Sequence, residues 1–91
     1  MKPAISREAF LQFCESKPAD EVYDYTDPFN CAFCQYLKSV GYKRPAVNPH
    51  DWRPDRLHDS NRRDLPAGVD QAALRSSHTF GALATRLREG V

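Results

Sequence analysis

Apolar residues recur at helical spacing in three stretches of the chain. In the first, Ala9, Phe10, Phe13 and Cys14 line one face behind Ser6, a good N-cap, and Ile5 and Phe10 are spaced as a hydrophobic staple. This helix is expected to end near Ser16, before Pro18. In the second, Phe29, Ala32, Phe33, Tyr36, Leu37 and Val40 share a face. Asp27 as N-cap, Pro28 at the first helical position and Gly41 as a left-handed stop give this helix the clearest punctuation of the three. In the third, Phe80, Leu83, Ala84 and Leu87 follow Ser77 or Thr79 as cap and precede Gly90. A short extra turn is expected over residues 70–76.

The pattern changes twice between these stretches. Over residues 21–26, Val22, Asp24 and Thr26 alternate with Tyr23 and Tyr25, which predicts a short strand pairing near residues 46–48. Over residues 42–68, Pro45, Pro49, Pro54 and Pro66 interrupt any helix, and Val47, Trp52, Leu57 and Leu65 follow no single period. A loop of that length needs either packing or a task, and Trp52 is expected to pack it onto the core. The sum is a mainly α fold of three to four short helices, a long Pro/Trp loop and a minimal two-stranded β-hairpin. All of it belongs to one small domain over residues 1–91.

At 91 residues the chain has room for one core and little room for a deep cleft. It is 41% hydrophobic and 27% charged, a globular composition, and its net charge of +1 gives no overall pull toward nucleic acid or a membrane. The distribution says more than the sum, because residues 1–30 carry a net −3 and residues 31–64 a net +3. Such halves attract one another or a partner. The apolar runs are too short for a signal h-region or a membrane span, so a cytoplasmic protein is expected. Three cysteines, an odd number, fit free thiols in a reducing compartment.

Candidate chemistry is sparse. Cys31-Ala32-Phe33-Cys34 has the spacing of a redox pair, but with Asp27 as the cap Cys31 would sit a full turn inside the helix, away from the amides that activate a thiol. Cys31 and Cys34 followed by His50 and His58 also supply the four ligands of a structural zinc, though the gap between the histidines is long and contains Pro54. Otherwise these are semi-buried thiols and solvated loop histidines. His78 beside Ser76 and Ser77 reads better as capping than as a nucleophile and base, and the four glycines form no phosphate cradle. No catalytic residues, metal or cofactor are assigned, and an enzyme is not expected. Lys43, Arg44, Arg53, Arg56, Arg62 and Arg63 are interleaved with Asp51, Asp55, Asp59 and Asp64, which cancels most of the field that direct nucleic-acid binding needs. Arg56, Asp59 and Arg63 look instead like a self-paired surface network.

The acidic segment remains. Asp20, Glu21, Asp24 and Asp27 with Tyr23 and Tyr25 combine carboxylates for guanidinium groups with flat rings suited to anchoring a protein contact. The same arrangement imitates a phosphate backbone. The alternative is a solvated turn in which Asp27 merely caps and the tyrosines pack on the second helix.

Tyr23-Asp24-Tyr25 with Asp27, Asn30-Cys31-Ala32, Gln35-Tyr36-Leu37, the proline and tryptophan loop and Thr79-Phe80-Gly81-Ala82-Leu83 before Arg86-Leu87 together resemble small proteins encoded in phages and prophages. About half of the chain carries this resemblance. It implies no residue-level chemistry. Phage proteins of this size include inhibitors of host defence, anti-CRISPR proteins among them, which block a host complex by binding it. The resemblance thus implies an inhibitor of a host nucleic-acid-handling complex, such as a CRISPR effector, working in the host cytoplasm; the acidic segment, Asp20, Glu21, Tyr23, Asp24, Tyr25 and Asp27, is the surface expected to make the contact. The alternatives are a small zinc-stabilised interaction module and a phage virion or replication accessory protein.

Overall fold

The computed structural model describes residues 5–59 and 61–90. These form four helices and a small antiparallel sheet, in the order α1 (Arg7–Ser16), α2 (Ala32–Ser39), β1 (Ala46–Val47), β2 (Asp51–Arg53), β3 (Arg63–Asp64), α3 (Val69–Leu74) and α4 (Phe80–Arg88). The mainly helical expectation is met in part, since a three-stranded sheet, order β1-β2-β3, takes the place of a two-stranded hairpin.

Both outer helices begin where their caps predict. The Ser6 hydroxyl accepts from the Ala9 amide at 3.1 Å and the Thr79 hydroxyl from the Ala82 amide at 3.3 Å, each satisfying one of the amides that a helix start leaves unpaired. The second helix starts later than its punctuation predicts. Asp27 turns its carboxylate onto the Phe29 amide at 2.9 Å, and the Pro28 carbonyl accepts from the Val47 amide of β1 at 2.9 Å. Residues 27–30 therefore form a turn tied to the sheet, and Cys31 becomes the N-cap, with no side-chain capping bond. Phe29, expected on the buried face, is 46% exposed and lies under the Arg56 guanidinium, 4.7 Å from its ring centre.

The core is built on aromatic rings from separate elements. Phe10 of α1 meets Phe33 and Tyr36 of α2 at centroid distances of 5.0 and 5.6 Å, and Phe80 of α4 meets Phe13 at 6.0 Å and Tyr23 at 5.5 Å. Leu37, Val69, Leu83 and Leu87 fill the remaining space, each buried aliphatic being worth about 1.5–3 kcal/mol over exposure.

Residues 21–26 alternate sides as the pattern predicts, with Val22 exposed and Tyr23 buried, but their partner is different. Val22 bridges Thr79 rather than anything near residues 46–48. The Tyr23 amide donates to the His78 carbonyl, the Phe80 amide to the Glu21 carbonyl and the Gly81 amide to the Ala19 carbonyl, each at 3.0 Å. Gly81 allows this approach, because a β-carbon there would stand 2.8 Å from both the Cβ and the carbonyl oxygen of Ala19.

The long loop is packed rather than open. Trp52, on the central strand, is buried, edge-on to Tyr42 at 5.3 Å and covered by the Arg63 guanidinium of β3 at 5.3 Å. Arg44 clasps Asp55 through two bonds of 3.1 and 2.9 Å, while Asp55 also accepts from the Leu57 and His58 amides. This fork holds the Asp55 carboxyl well below the usual carboxylate range. Arg63 pairs with Asp59 at 3.6 Å as the spacing suggests, whereas Arg56 stacks on Phe29 instead.

Among the described residues, no helix is long and apolar enough to cross a membrane.

Candidate functional site

The segment 20–27 runs along one edge of the molecule with its tyrosines turned inward and most of its carboxylates outward. Tyr23 is only 2% exposed. Its hydroxyl donates to the Ala73 carbonyl at 2.7 Å and accepts from Arg86 Nη2 at 3.2 Å, and burial pushes the phenol up to about 12 against the opposing pull of Arg86. Tyr23 thus supports the fold from within, and its ring forms part of the wall of the pocket beside the segment. Tyr25 is half-buried, donates to Asp70 Oδ1 at 2.7 Å and is likewise raised to about 12, first by burial and then by that carboxylate.

The end of α3 explains why Tyr23 is needed there. A helix leaves its last carbonyls unpaired, and three consecutive ones are met by three different side chains. Arg86 Nε donates to the Ala72 carbonyl at 2.7 Å, Tyr23 to that of Ala73, and His78 Nε2 lies 2.9 Å from that of Leu74. The Arg86 guanidinium also reaches the carbonyls of Ser76 and Ser77 at 3.3 and 3.1 Å. His78, from just before α4, lies between Tyr23 and Tyr25, with ring centres 5.3 and 5.9 Å away.

The carboxylates stand differently. Asp20 and Asp24 are exposed, and Glu21 and Asp27 are half-exposed. Glu21 pairs with Lys17 at 2.9 Å across the turn that follows α1, a part-exposed contact of little energetic weight. Asp24 accepts from the hydroxyl and the amide of Thr26 at 2.8 and 3.0 Å, which holds its carboxyl below the ordinary range. Among the described residues, Asp20, Asp24, Asp27 and Asp70 form no ion pair. The side-chain roles of Asp24 and Asp27 are turn bonds, each to a backbone amide two residues on.

Beside this segment lies a pocket of about 270 Å³. Phe33, Val69 and Ala73 are buried in its wall, Pro28, Val47 and Leu65 stand nearer its opening, and Tyr25, Thr26 and Asp70 bring polar groups to it. The pocket was not legible in the sequence, since its lining comes from the acidic segment, the start of α2, β1, the stretch before α3 and α3 itself. Asp70 is the residue that sequence reasoning missed: it sits in the short turn expected over residues 70–76, and nothing in that pattern links it to Tyr25.

The cysteines and histidines do not assemble the zinc quartet that their spacing offers. Cys34 is fully buried with its thiol 3.5 Å from the Pro45 carbonyl, while His50 and His58 are exposed. Among the described residues no group of three or more His, Cys, Asp or Glu side chains is placed to hold a metal ion. Cys31 stands at the N-terminus of α2 rather than a turn inside it, yet burial raises its thiol, and raises that of Cys34 to about 11. An activated thiolate requires the opposite shift.

Compared with protein-family models, curated proteins and solved structures, the chain matches none.

Proposed function

We propose that this protein works by contact, as a phage-type inhibitor that binds a basic surface of a host nucleic-acid-handling complex through the outer face of residues 20–27. The observation that carries this reading is the exposed acidity of that face. Asp20 and Asp24 are exposed with no lysine or arginine partner among the described residues, and Asp27 and Asp70 extend the same charge toward the neighbouring pocket. The inward bonds of Tyr23 and Tyr25 hold the backbone of this segment in place, so little ordering cost falls on binding.

A surface that holds nucleic acid presents the matching chemistry. RNA-guided effectors carry their guide and target strands in positively charged channels, and a fixed row of carboxylates competes for the same arginine and lysine side chains. The phage-like arrangement of the Tyr-Asp-Tyr segment and the Thr79-Phe80-Gly81 stretch makes a CRISPR effector the first partner to test. Asp70 extends the contact set expected from sequence, Asp20, Glu21, Tyr23, Asp24, Tyr25 and Asp27, toward the pocket.

The test is charge reversal. Glu21→Lys with Asp24→Lys changes the charge of the face by four while sparing the core. The variant is expected to keep the wild-type circular dichroism spectrum and lose capture of the partner; capture retained at wild-type level would overturn the site assignment.

A further inference from the structure

We propose that the pocket beside the acidic segment is an anchor socket that takes an aliphatic side chain standing next to an arginine or lysine on a protein partner. This inference deepens the contact reading above and rests on it.

Size and lining set the class of occupant. At about 270 Å³ the pocket falls just under the ~300–1,000 Å³ typical of sites for drug-sized ligands and cofactors. It nevertheless exceeds the ~150 Å³ engineered apolar cavity that accepts benzene. One leucine-sized side chain with part of its neighbour is therefore the natural guest. Phe33 and Val69 on the buried side and Val47 and Leu65 toward the opening give that guest an apolar surround. Contact with such a surround is favoured by about 25 cal/mol for each Å² of apolar surface withdrawn from water.

Charge sets the neighbour of that side chain. No lysine, arginine or histidine lines the pocket among the described residues, whereas the Asp70 carboxylate does. Its Oδ1 accepts the Tyr25 hydroxyl, and Oδ2 has no hydrogen-bond partner among the described residues. Asp24 is bonded to pocket-lining Thr26, and Asp27 directly precedes pocket-lining Pro28. A cation beside the buried side chain would meet the Asp70 carboxylate in the pocket wall; a purely apolar guest would leave that carboxylate unanswered, and an anionic one would be repelled by it.

The experiment is a titration of the ¹⁵N-labelled full chain with three blocked dipeptides, acetyl-Leu-Arg-amide, acetyl-Leu-Glu-amide and acetyl-Gly-Arg-amide, read by amide chemical shifts. Saturable shifts centred on Thr26, Cys31, Asn48, Val69 and Asp70 are expected with the Leu-Arg probe. Its affinity should exceed that of the Leu-Glu probe by about tenfold, the size of one or two partly screened charge contacts. Asp70→Asn keeps an acceptor for Tyr25 and should shrink that preference to roughly threefold. Equal affinity for the Leu-Arg and Leu-Glu probes, equal affinity for the Leu-Arg and Gly-Arg probes, or no saturable shift at the pocket would each overturn the socket. Failure here is distinct from failure of the contact reading. Partner capture that Glu21→Lys with Asp24→Lys abolishes, alongside absent peptide selectivity, removes the socket and leaves the acidic face; selectivity alongside capture that survives charge reversal does the reverse.

Discussion

Replacing Tyr23 by Phe takes one oxygen from the centre of the molecule and leaves the ring packing against Phe80 and His78 in place. The missing hydroxyl donates to the Ala73 carbonyl at 2.7 Å and accepts from Arg86 at 3.2 Å. A buried neutral hydrogen bond contributes about 1 kcal/mol net, and a carbonyl left buried without its donor adds a desolvation cost of about 1–3 kcal/mol. Arg86 keeps the carbonyls of Ala72, Ser76 and Ser77, so its charge stays satisfied and adds little to the loss. The expected destabilisation is about 2 kcal/mol, a fall in Tm of about 8–16 °C for a domain of this size. Urea unfolding at pH 7 measures it through the fluorescence of Trp52, the single tryptophan. The same variant, held well below its new Tm, should bind the partner as tightly as the wild type. A loss of stability under about 0.5 kcal/mol combined with weakened partner binding would refute the reasoning and assign the Tyr23 hydroxyl to the contact.

Three further perturbations probe the same frame. Gly81→Ala gains about 1 kcal/mol of helix propensity but drives a methyl group into Ala19 at 2.8 Å, so a net loss of about 1–2 kcal/mol is expected by thermal unfolding; adding Ala19→Gly removes only one of the two close contacts and should rescue it in part. Arg86→Lys keeps the charge and loses the planar fork that spans the end of α3, and chemical denaturation should show a loss of about 1–2 kcal/mol. Burial raises Cys34 to about 11 and Cys14 to about 12 from an ordinary 9.0, and Tyr23 to about 12 from 10.0. These groups stay protonated in the fold after they ionise in the unfolded chain, so stability should be full below pH 9 and fall as pH rises from about 9 to 12, with a shallower fall in Cys14→Ala.

The parts of the fold that could be read from sequence are those fixed by local chemistry. Ser6 and Thr79 cap α1 and α4 because a hydroxyl before an apolar stripe has a single good use, and Trp52 is buried because it is the largest apolar side chain of the loop around it. Asp27-Pro28 misled because an aspartate bonding an amide two residues on closes a turn as readily as it caps a helix. The Val47 amide, bonding the Pro28 carbonyl, favours the turn. The alternation over residues 21–26 identified which side chains face inward, but a period of two carries no information on the pairing strand; the close approach of Ala19 to Gly81 sets that. The sheet strands are two or three residues long, and β3 consists of Arg63 and Asp64, a pair with no strand signature. Of the candidate site, the exposed carboxylates were legible as charge. The inward role of Tyr23 and the pairing of Tyr25 with Asp70 depend on α3 lying against the segment, a contact across 45 residues or more of chain.

The central claim, a protein that acts by binding a basic host complex, is tested most directly by capturing partners of the tagged chain from a nuclease-treated lysate of a CRISPR-bearing host and identifying them by mass spectrometry. The account predicts stoichiometric recovery of an effector subunit that the Glu21→Lys, Asp24→Lys variant fails to retain. Recovery of the chain alone, or of phage structural proteins in its place, would contradict it.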